Sequence, residues 1–245
     1  MTGATSESIQ RRAGGRCTCS VSGGEGTDEN TMLARARDIS RSTHAGLAPS
    51  HDFSHAERVY RLAERIAMAE GADLFIVRMA ALLHDIGRAE ESKNKDCEDI
   101  HEELSVRMAG PILDGLGIQP GKKDAILHAI ASHRHRRGGE PCTLEAKCLF
   151  DADKLDSLGA VGVARSYLWL GEHGRSVYYP PEQYAGIDPK NNSAEVDSTQ
   201  REWHIKLKHL KDKMYTETGR RIALERHDRM ARIIDEIEKE VMGQY

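Results

Sequence analysis

The chain has 245 residues, of which 39% are hydrophobic and 30% charged, and 35 Lys plus Arg against 39 Asp plus Glu leave a formal charge of −4. This length exceeds the usual domain but allows one larger core. Without a basic excess the surface is not built for long nucleic acid, 5% aromatics argue against a base-stacking platform, and no apolar run is long enough for a bilayer span or a signal-peptide core.

Five cysteines, an odd number in a long chain, speak against a disulfide scaffold and for a reducing, cytoplasmic setting. Residues 1–30 combine Gly pairs, Ser and Thr with few large apolar side chains, which predicts a disordered tail. Cys17 and Cys19 lie in that tail as a C-x-C pair with no second pair nearby.

From Thr31 onward the apolar period is helical. A first helix is expected over Thr31–Thr43 and a second over Phe53–Glu70, with Val59, Leu62, Ala63 and Ile66 on its inner face. Asp73 can cap a third that runs through Phe75, Met79 and Leu83. A fourth is expected over His101–Leu116, a fifth from Pro120 and a sixth over Leu144–Tyr167. Two more cover Glu202–Lys213 and Glu217–Val241. Residues 171–199, with Tyr178-Tyr179-Pro180-Pro181, Gly186 and Pro189, form a long irregular connection or lid. The expectation is one all-α domain over residues 31–245, with the C-terminal helices packed onto it.

Histidine, with 12 copies, is the informative abundance. The run Ala80-Ala81-Leu82-Leu83 should carry His84-Asp85 into the interior, where a carboxylate needs a cation or several donors. His55 precedes Val59 by four and Leu62 by seven, so it shares their inner face. Asp153 follows Leu149 by four. These four groups suit a divalent metal such as Mn, Fe, Zn or Ni. His101 leads the Leu104-Ser105-Met108 face, and His133 continues Ile126 and Ile130. They can hold a second metal or donate to a phosphate. His128 lies off that face, and His51 sits in loop-like sequence one turn before His55, which sets it aside as a ligand. Cys142 and Cys148 have poor spacing for a zinc knuckle.

The strings HDFSHAERV, ALLHDIG, HEELS, IASHRHR and DADKLDSLGAVGVAR resemble the HD-domain superfamily of metal-dependent phosphohydrolases over roughly Ser50 to Arg165. Within it the chain is similar to the small bacterial and archaeal branch related to nucleoside triphosphate pyrophosphohydrolases, with a weaker echo in KLKHLKDKMYTETGRRIALERHDRM. The resemblance implies a compact HD-type helical bundle with additional C-terminal helices. It implies a metal, with Mn or Mg preferred and Fe, Co, Ni or Zn as alternatives, on His55, His84, Asp85 and Asp153. It matches the family's intermediate histidines to His101 and His133. The implied reaction is attack of metal-activated water on a small phosphorylated substrate, a nucleoside or deoxynucleoside triphosphate cleaved to monophosphate and pyrophosphate.

His101, His133, Glu102 and Lys154 are then candidate catalytic groups, Glu102 as a proton relay. Arg134, Arg136, Arg137 and Lys206 are candidates for the outer phosphates. Arg226 interrupts the apolar stripe Ile222, Met230, Ile234, so it supports the substrate, joins an internal ion pair or snorkels. Two alternatives stand beside the hydrolase: a dinuclear-iron oxygenase related to inositol oxygenase-like members, and a catalytically silent helical interaction protein. No membrane partner is expected, and the oligomeric state stays open.

Overall fold

The computed structural model describes residues 25–93, 101–134, 139–186 and 197–244, and all regular structure among them is helical. The order is α1 (Glu25–Thr43), a 3-10 turn (Pro49–His51), α2 (Phe53–Glu70), α3 (Leu74–Leu83), α4 (Arg88–Lys93), α5 (His101–Gly115) and α6 (Pro120–Ser132). It continues with α7 (Leu144–Leu155), α8 (Gly159–Glu172), α9 (Pro181–Tyr184), α10 (Thr199–Ile205), a second 3-10 segment (Leu207–Lys213) and α11 (Glu217–Val241). No helix among the described residues is long and apolar enough to cross a membrane.

α3 organises the bundle. Asp73 starts it by accepting from the amides of Phe75 and Ile76 at 2.9 and 3.2 Å, the cap its sequence predicts. Nearly every side chain from Phe75 to Leu83 is buried. A helix apolar on all sides must be packed on all sides, and α3 touches α1, α2, α6 and α7. Burying side chains such as Leu82 and Leu83 contributes about 1.5–3 kcal/mol each, which fixes the C-terminal end of α3, and with it His84-Asp85, at the centre of the molecule. α2 lies alongside with Val59, Leu62, Ala63 and Ile66 inward. It ends at Gly71, whose φ of 79° is open to glycine at no steric cost.

Three elements differ from the sequence expectation. α1 begins at Glu25 rather than Thr31. The single helix expected over Leu144–Tyr167 is two: α7 stops at Leu155, and α8 restarts at Gly159, whose φ is +77°. The helix expected over Glu202–Lys213 breaks at Lys206, where φ −140° and ψ −57° leave the helical region. α4, between the third and fourth expected helices, has no periodic apolar face and escapes sequence reading.

α11 closes the bundle against α8, α7 and α2. Its start is held by Asp151, which accepts from the amides of Tyr215 and Thr216 at 2.9 and 2.8 Å and from the Thr216 hydroxyl at 2.6 Å. A side chain at Gly219 would collide with the Asp151 carboxylate. Asp151 therefore docks a helix, while Asp153, two residues on, faces the other way.

Candidate metal centre and adjoining cavity

Four histidines share one device. His84 and His133 end α3 and α6, and each turns its Nδ1 onto a carbonyl of its own last turn: Ala81 at 2.8 Å and Ile130 at 2.6 Å. His55 Nδ1 meets Asp156 Oδ2 at 2.8 Å, and His101 Nδ1 meets Glu91 Oε2 at 3.1 Å. With every Nδ1–H donated outward, every Nε2 turns inward, the arrangement by which an outer acceptor sets the tautomer and aim of a ligand histidine.

The Nε2 atoms fall into two groups joined by Asp85. His55, His84 and Asp153 form one, and Asp85, His101 and His133 the other. In the first, His55 Nε2 lies 3.4 Å from His84 Nε2 and 3.4 Å from Asp153 Oδ1, and Asp85 Oδ2 stands 3.4 and 3.6 Å from the two histidines. Ligands about 2.1 Å from one ion stand roughly 3.0–3.4 Å apart for octahedral to tetrahedral angles; the three His55 distances meet that spacing, while His84 Nε2 stands wider, 3.6 Å from Asp85 Oδ2 and 4.0 Å from Asp153 Oδ1, so the group is close to the dimensions of a single metal site. In the second, Asp85 Oδ1 lies 3.5 Å from His101 Nε2 and 3.6 Å from His133 Nε2. Asp85 Oδ1 and His133 Nε2 are buried polar atoms without a hydrogen-bond partner among the described residues, a costly state that a cation would relieve. His101 Nε2 also accepts from Arg134 at 3.0 Å, and one nitrogen cannot serve this guanidinium and an ion at once.

The electrostatics call for positive charge at the first group. Burial disfavours a charged His55, yet hydrogen bonds to Asp153, Asp156 and Asp85 outweigh it and raise its pKa to about 9. Burial drives His84 down to about 3. Burial also opposes ionisation of Asp85 and Asp153, but Arg88 and His84 hold the first, and Lys154 and His55 the second, well below the ordinary carboxylate range. Two carboxylates thus stay charged around imidazoles, each already paired with one cation, Arg88 on Asp85 and Lys154 on Asp153, and a proton on His55 or a metal cation adds to that balance.

The centre opens into a cavity of about 410 Å³. His55 and Asp153 lie in its wall, with Arg88, Arg134, Lys154, Arg165, Lys206 and Lys213 supplying positive charge. Lys154 bridges Asp153 Oδ2 at 2.7 Å and the His133 carbonyl at 3.1 Å. Of the residues singled out from sequence, the six histidine and aspartate candidates converge, and Lys154, Arg134 and Lys206 line the cavity. Glu102 stands behind the centre: its carboxylate is 3.4 Å from His101 Nδ1 and 3.7 Å from Arg134, on the far side of the imidazole from Asp85. Arg226 lies off the cavity lining and donates to the Leu155 carbonyl at 2.6 Å at the end of α7, with Asp156 the acidic group whose charge acts on it. Arg136 and Arg137 lie outside the described residues, as do Cys17 and Cys19. Cys142 is exposed and Cys148 buried, both as free thiols.

Sequence reading missed Arg88, Glu91, Asp156 and Arg165. Arg88 follows Asp85 by three and donates to its Oδ2; Asp156 follows Asp153 by three. The spacing is visible, but the partners come from other helices.

Helix phase predicts a contrast between two histidines of α6. His128 Nε2 accepts from the Cys142 amide at 3.0 Å, away from the centre. His133→Ala should reduce bound metal or turnover at least tenfold, as loss of a site imidazole or its outer partner does. His128→Ala should cost about 1 kcal/mol of stability and leave metal content alone. Metal analysis and steady-state rates on both variants test this, and equal losses would mean the phase is misassigned.

A helical bundle that gathers His, His-Asp and a distal Asp at one buried centre defines a class, and the relatives agree with it. Residues 52–158 match the HD domain family. The protein YpgQ of Bacillus subtilis (strain 168) is 32% identical over 199 residues, 79% of this chain and 85% of that protein. Its crystal structure in complex with ADP aligns over 87% of this chain and 96% of that one with a TM-score of 0.66. An HD-superfamily hydrolase of Bacillus thuringiensis, 28% identical, aligns over 86% and 97% with a TM-score of 0.64. The chain belongs to the HD-domain superfamily.

Proposed function

We propose that the chain is a metal-dependent phosphohydrolase whose substrate is a nucleoside or deoxynucleoside triphosphate, cleaved to monophosphate and pyrophosphate. The observation that carries this reading is the junction of a histidine–carboxylate centre with a cavity walled by six cationic side chains. Such walls suit a polyanion carrying several charges. The ADP complex of YpgQ supports a nucleotide as the organic part.

His55, His84, Asp85 and Asp153 would hold the metal, and His133 with Asp85 Oδ1 would hold a second. A divalent ion there supplies an activated water and a counter-charge for a phosphoryl oxygen. An imidazole-rich set favours Mn over Mg, which prefers oxygen and keeps its waters. Arg88 orients Asp85, Lys154 orients Asp153, and Arg134, Arg165, Lys206 and Lys213 face the outer phosphates, where preorganised donors stabilise developing negative charge. Arg134 can leave His101 for a phosphate because it lines the same cavity.

The test is a screen of nucleoside triphosphates, phosphomonoesters and phosphodiesters with Mn, Mg, Co and Ni, resolving phosphate from pyrophosphate. Metal-dependent pyrophosphate release is expected. Phosphate release alone would reassign the substrate, and an iron spectrum with oxygen uptake and no hydrolysis would favour the oxygenase.

Metal entry should also displace a proton. His55, at about 9, is protonated in the metal-free chain at pH 7.5, whereas His84, at about 3, carries no proton to release. Roughly one proton should appear per ion bound at the first group, falling to none above pH 9. Because the folded pKa is raised, this group's stabilisation of the metal-free fold is complete below about 6.5 and is lost as pH rises through 9. Calorimetry in buffers of different ionisation enthalpy measures the release; none at pH 7.5 would contradict a protonated His55.

A further inference from the structure

A second cavity of about 260 Å³ adjoins the first, and the two share His51, Ser157, Arg165 and Lys206 in their linings. The second adds Ser166, Trp169, Asp197, Glu202 and Leu207, a mixed surface unlike the cationic walls next door.

His51 sits in a three-residue turn that is clamped from a distance. The Ser50 amide donates to Glu172 Oε1 at 2.8 Å, the Ser50 hydroxyl lies 2.5 Å from Glu172 Oε2, and Arg165 donates to the Ser50 carbonyl at 3.0 Å. Ser50 Oγ is also 2.8 Å from His51 Nδ1. A carboxylate only accepts, so the serine proton points to Glu172 and the serine oxygen accepts from His51 Nδ1–H. Burial and the nearby Arg88 and Arg165 push the His51 pKa down to about 3, so the ring is neutral. Its Nε2 is then an acceptor, with no protein partner among the described residues.

An acceptor repels a phosphate oxygen, and the phosphate cavity is otherwise walled mainly by donors. In the second cavity, Asp197 already faces Arg201 at 3.2 Å and Glu202 faces Lys206 at 3.3 Å. At the junction, where the two cavities share His51, the clamp on Ser50 gives His51 Nε2 a fixed direction as an acceptor, and it suits an O–H just beyond the phosphates. We propose that His51, oriented by Ser50 and Glu172, accepts a hydrogen bond from a sugar hydroxyl of the substrate, and that the second cavity receives the organic part to which that hydroxyl belongs. The inference rests on the phosphohydrolase reading and narrows its substrate to a hydroxyl-bearing phosphate compound, as opposed to inorganic polyphosphate.

The experiment compares a ribonucleoside triphosphate, its 2′,3′-dideoxy counterpart and inorganic triphosphate, with Mn, on the full chain and on His51→Phe, His51→Gln and Glu172→Gln, each checked for a native melting transition. The wild-type chain should favour the ribonucleotide over the dideoxy compound by about tenfold in kcat/KM, the worth of one buried hydrogen bond. His51→Phe should bring that ratio close to one, chiefly through KM, and His51→Gln, which keeps an acceptor, should retain part of it. Glu172→Gln, whose amide can donate to Ser50 and turn the serine proton toward Nδ1, should also erase the preference. A wild-type ratio near one, or a ratio untouched by His51→Phe, overturns the proposal while leaving the hydrolase standing. An equal kcat loss on all three substrates also overturns it, placing His51 at the reacting end. Absence of hydrolysis by the wild-type chain with any metal or phosphate compound sinks the phosphohydrolase reading, and this proposal with it.

Discussion

Asp85→Ala should remove metal binding and turnover together while leaving helical content intact. Asp85 is the one side chain that serves both ligand groups, Oδ2 toward His55 and His84 and Oδ1 toward His101 and His133. Its loss takes one donor from each group and the negative charge that a divalent ion neutralises. The fall in metal affinity should exceed the ~10–100-fold typical of losing an outer partner, and excess Mn should not rescue it. The helices should survive because α3 is held by Phe75–Leu83, not by its terminal carboxylate. Asp85→Asn is the control: its amide oxygen still accepts from Arg88, so folding is preserved while the charge is gone. Metal analysis, circular dichroism and rates on both variants measure the effect. Wild-type metal content with wild-type turnover in either variant would remove Asp85 from the centre.

The helices that carry the centre were legible where a local pattern and a global need coincide. The i, i+4, i+7 relation of His55, Val59 and Leu62 states a face, and any helix packed on that face buries the histidine with the leucine. The apolar run before His84 can only be satisfied at the middle of a bundle. Gly87 works at long range: a Cβ there would meet the His101 carbonyl and the Ser105 amide at 2.6 Å, so the glycine lets the start of α5 close on the end of α3 and bring His101 to Asp85. That is a long-range contact with no local signature. The break between α7 and α8 was hidden because Asp156-Ser157-Leu158 contains no proline and the following Gly159 reads as an ordinary helical residue. Its left-handed conformation becomes visible only in the fold. Glu91 was hidden for a related reason, since it reaches His101 from α4, a helix too short and too polar to carry a period. His51 was set aside as loop-like, and only the clamp from Glu172 and Arg165, more than a hundred residues away, gives its ring a fixed direction.

Asp156→Ala should weaken both the fold and the centre, and its metal defect should differ in kind from that of Asp85. The Asp156 carboxylate, 1% exposed, accepts from His55 Nδ1 at 2.8 Å, from Arg58 at 2.8 and 3.0 Å, and from Arg165 at 2.9 Å. Truncation leaves an imidazole and two guanidinium groups without their shared acceptor. A fully buried pair broken this way costs about 3–5 kcal/mol. The Arg58 and Arg165 side chains keep 28% and 18% of their exposure, so water recovers part of that loss and about 3 kcal/mol is expected. Burial opposes the charge on Asp156, but hydrogen bonds from His55 and Arg58 prevail and take its pKa down to about 2. A depressed carboxylate stabilises the fold fully above its unfolded pKa near 3.8 and loses that contribution as pH falls through 2. Urea unfolding of the metal-free wild-type chain and Asp156→Asn should therefore differ by a constant amount between about pH 4 and 6.5, converge toward pH 2, and draw closer again as His55 loses its proton toward pH 9. At the centre, His55 loses the acceptor that aims its Nε2, so metal affinity should fall about 10–100-fold. Because His55, His84, Asp85 and Asp153 all remain, excess Mn should restore most of the turnover. Rescue of Asp156→Ala alongside failure to rescue Asp85→Ala separates a residue that aims a ligand from one that is a ligand. If neither or both respond to added metal, that division of roles is wrong.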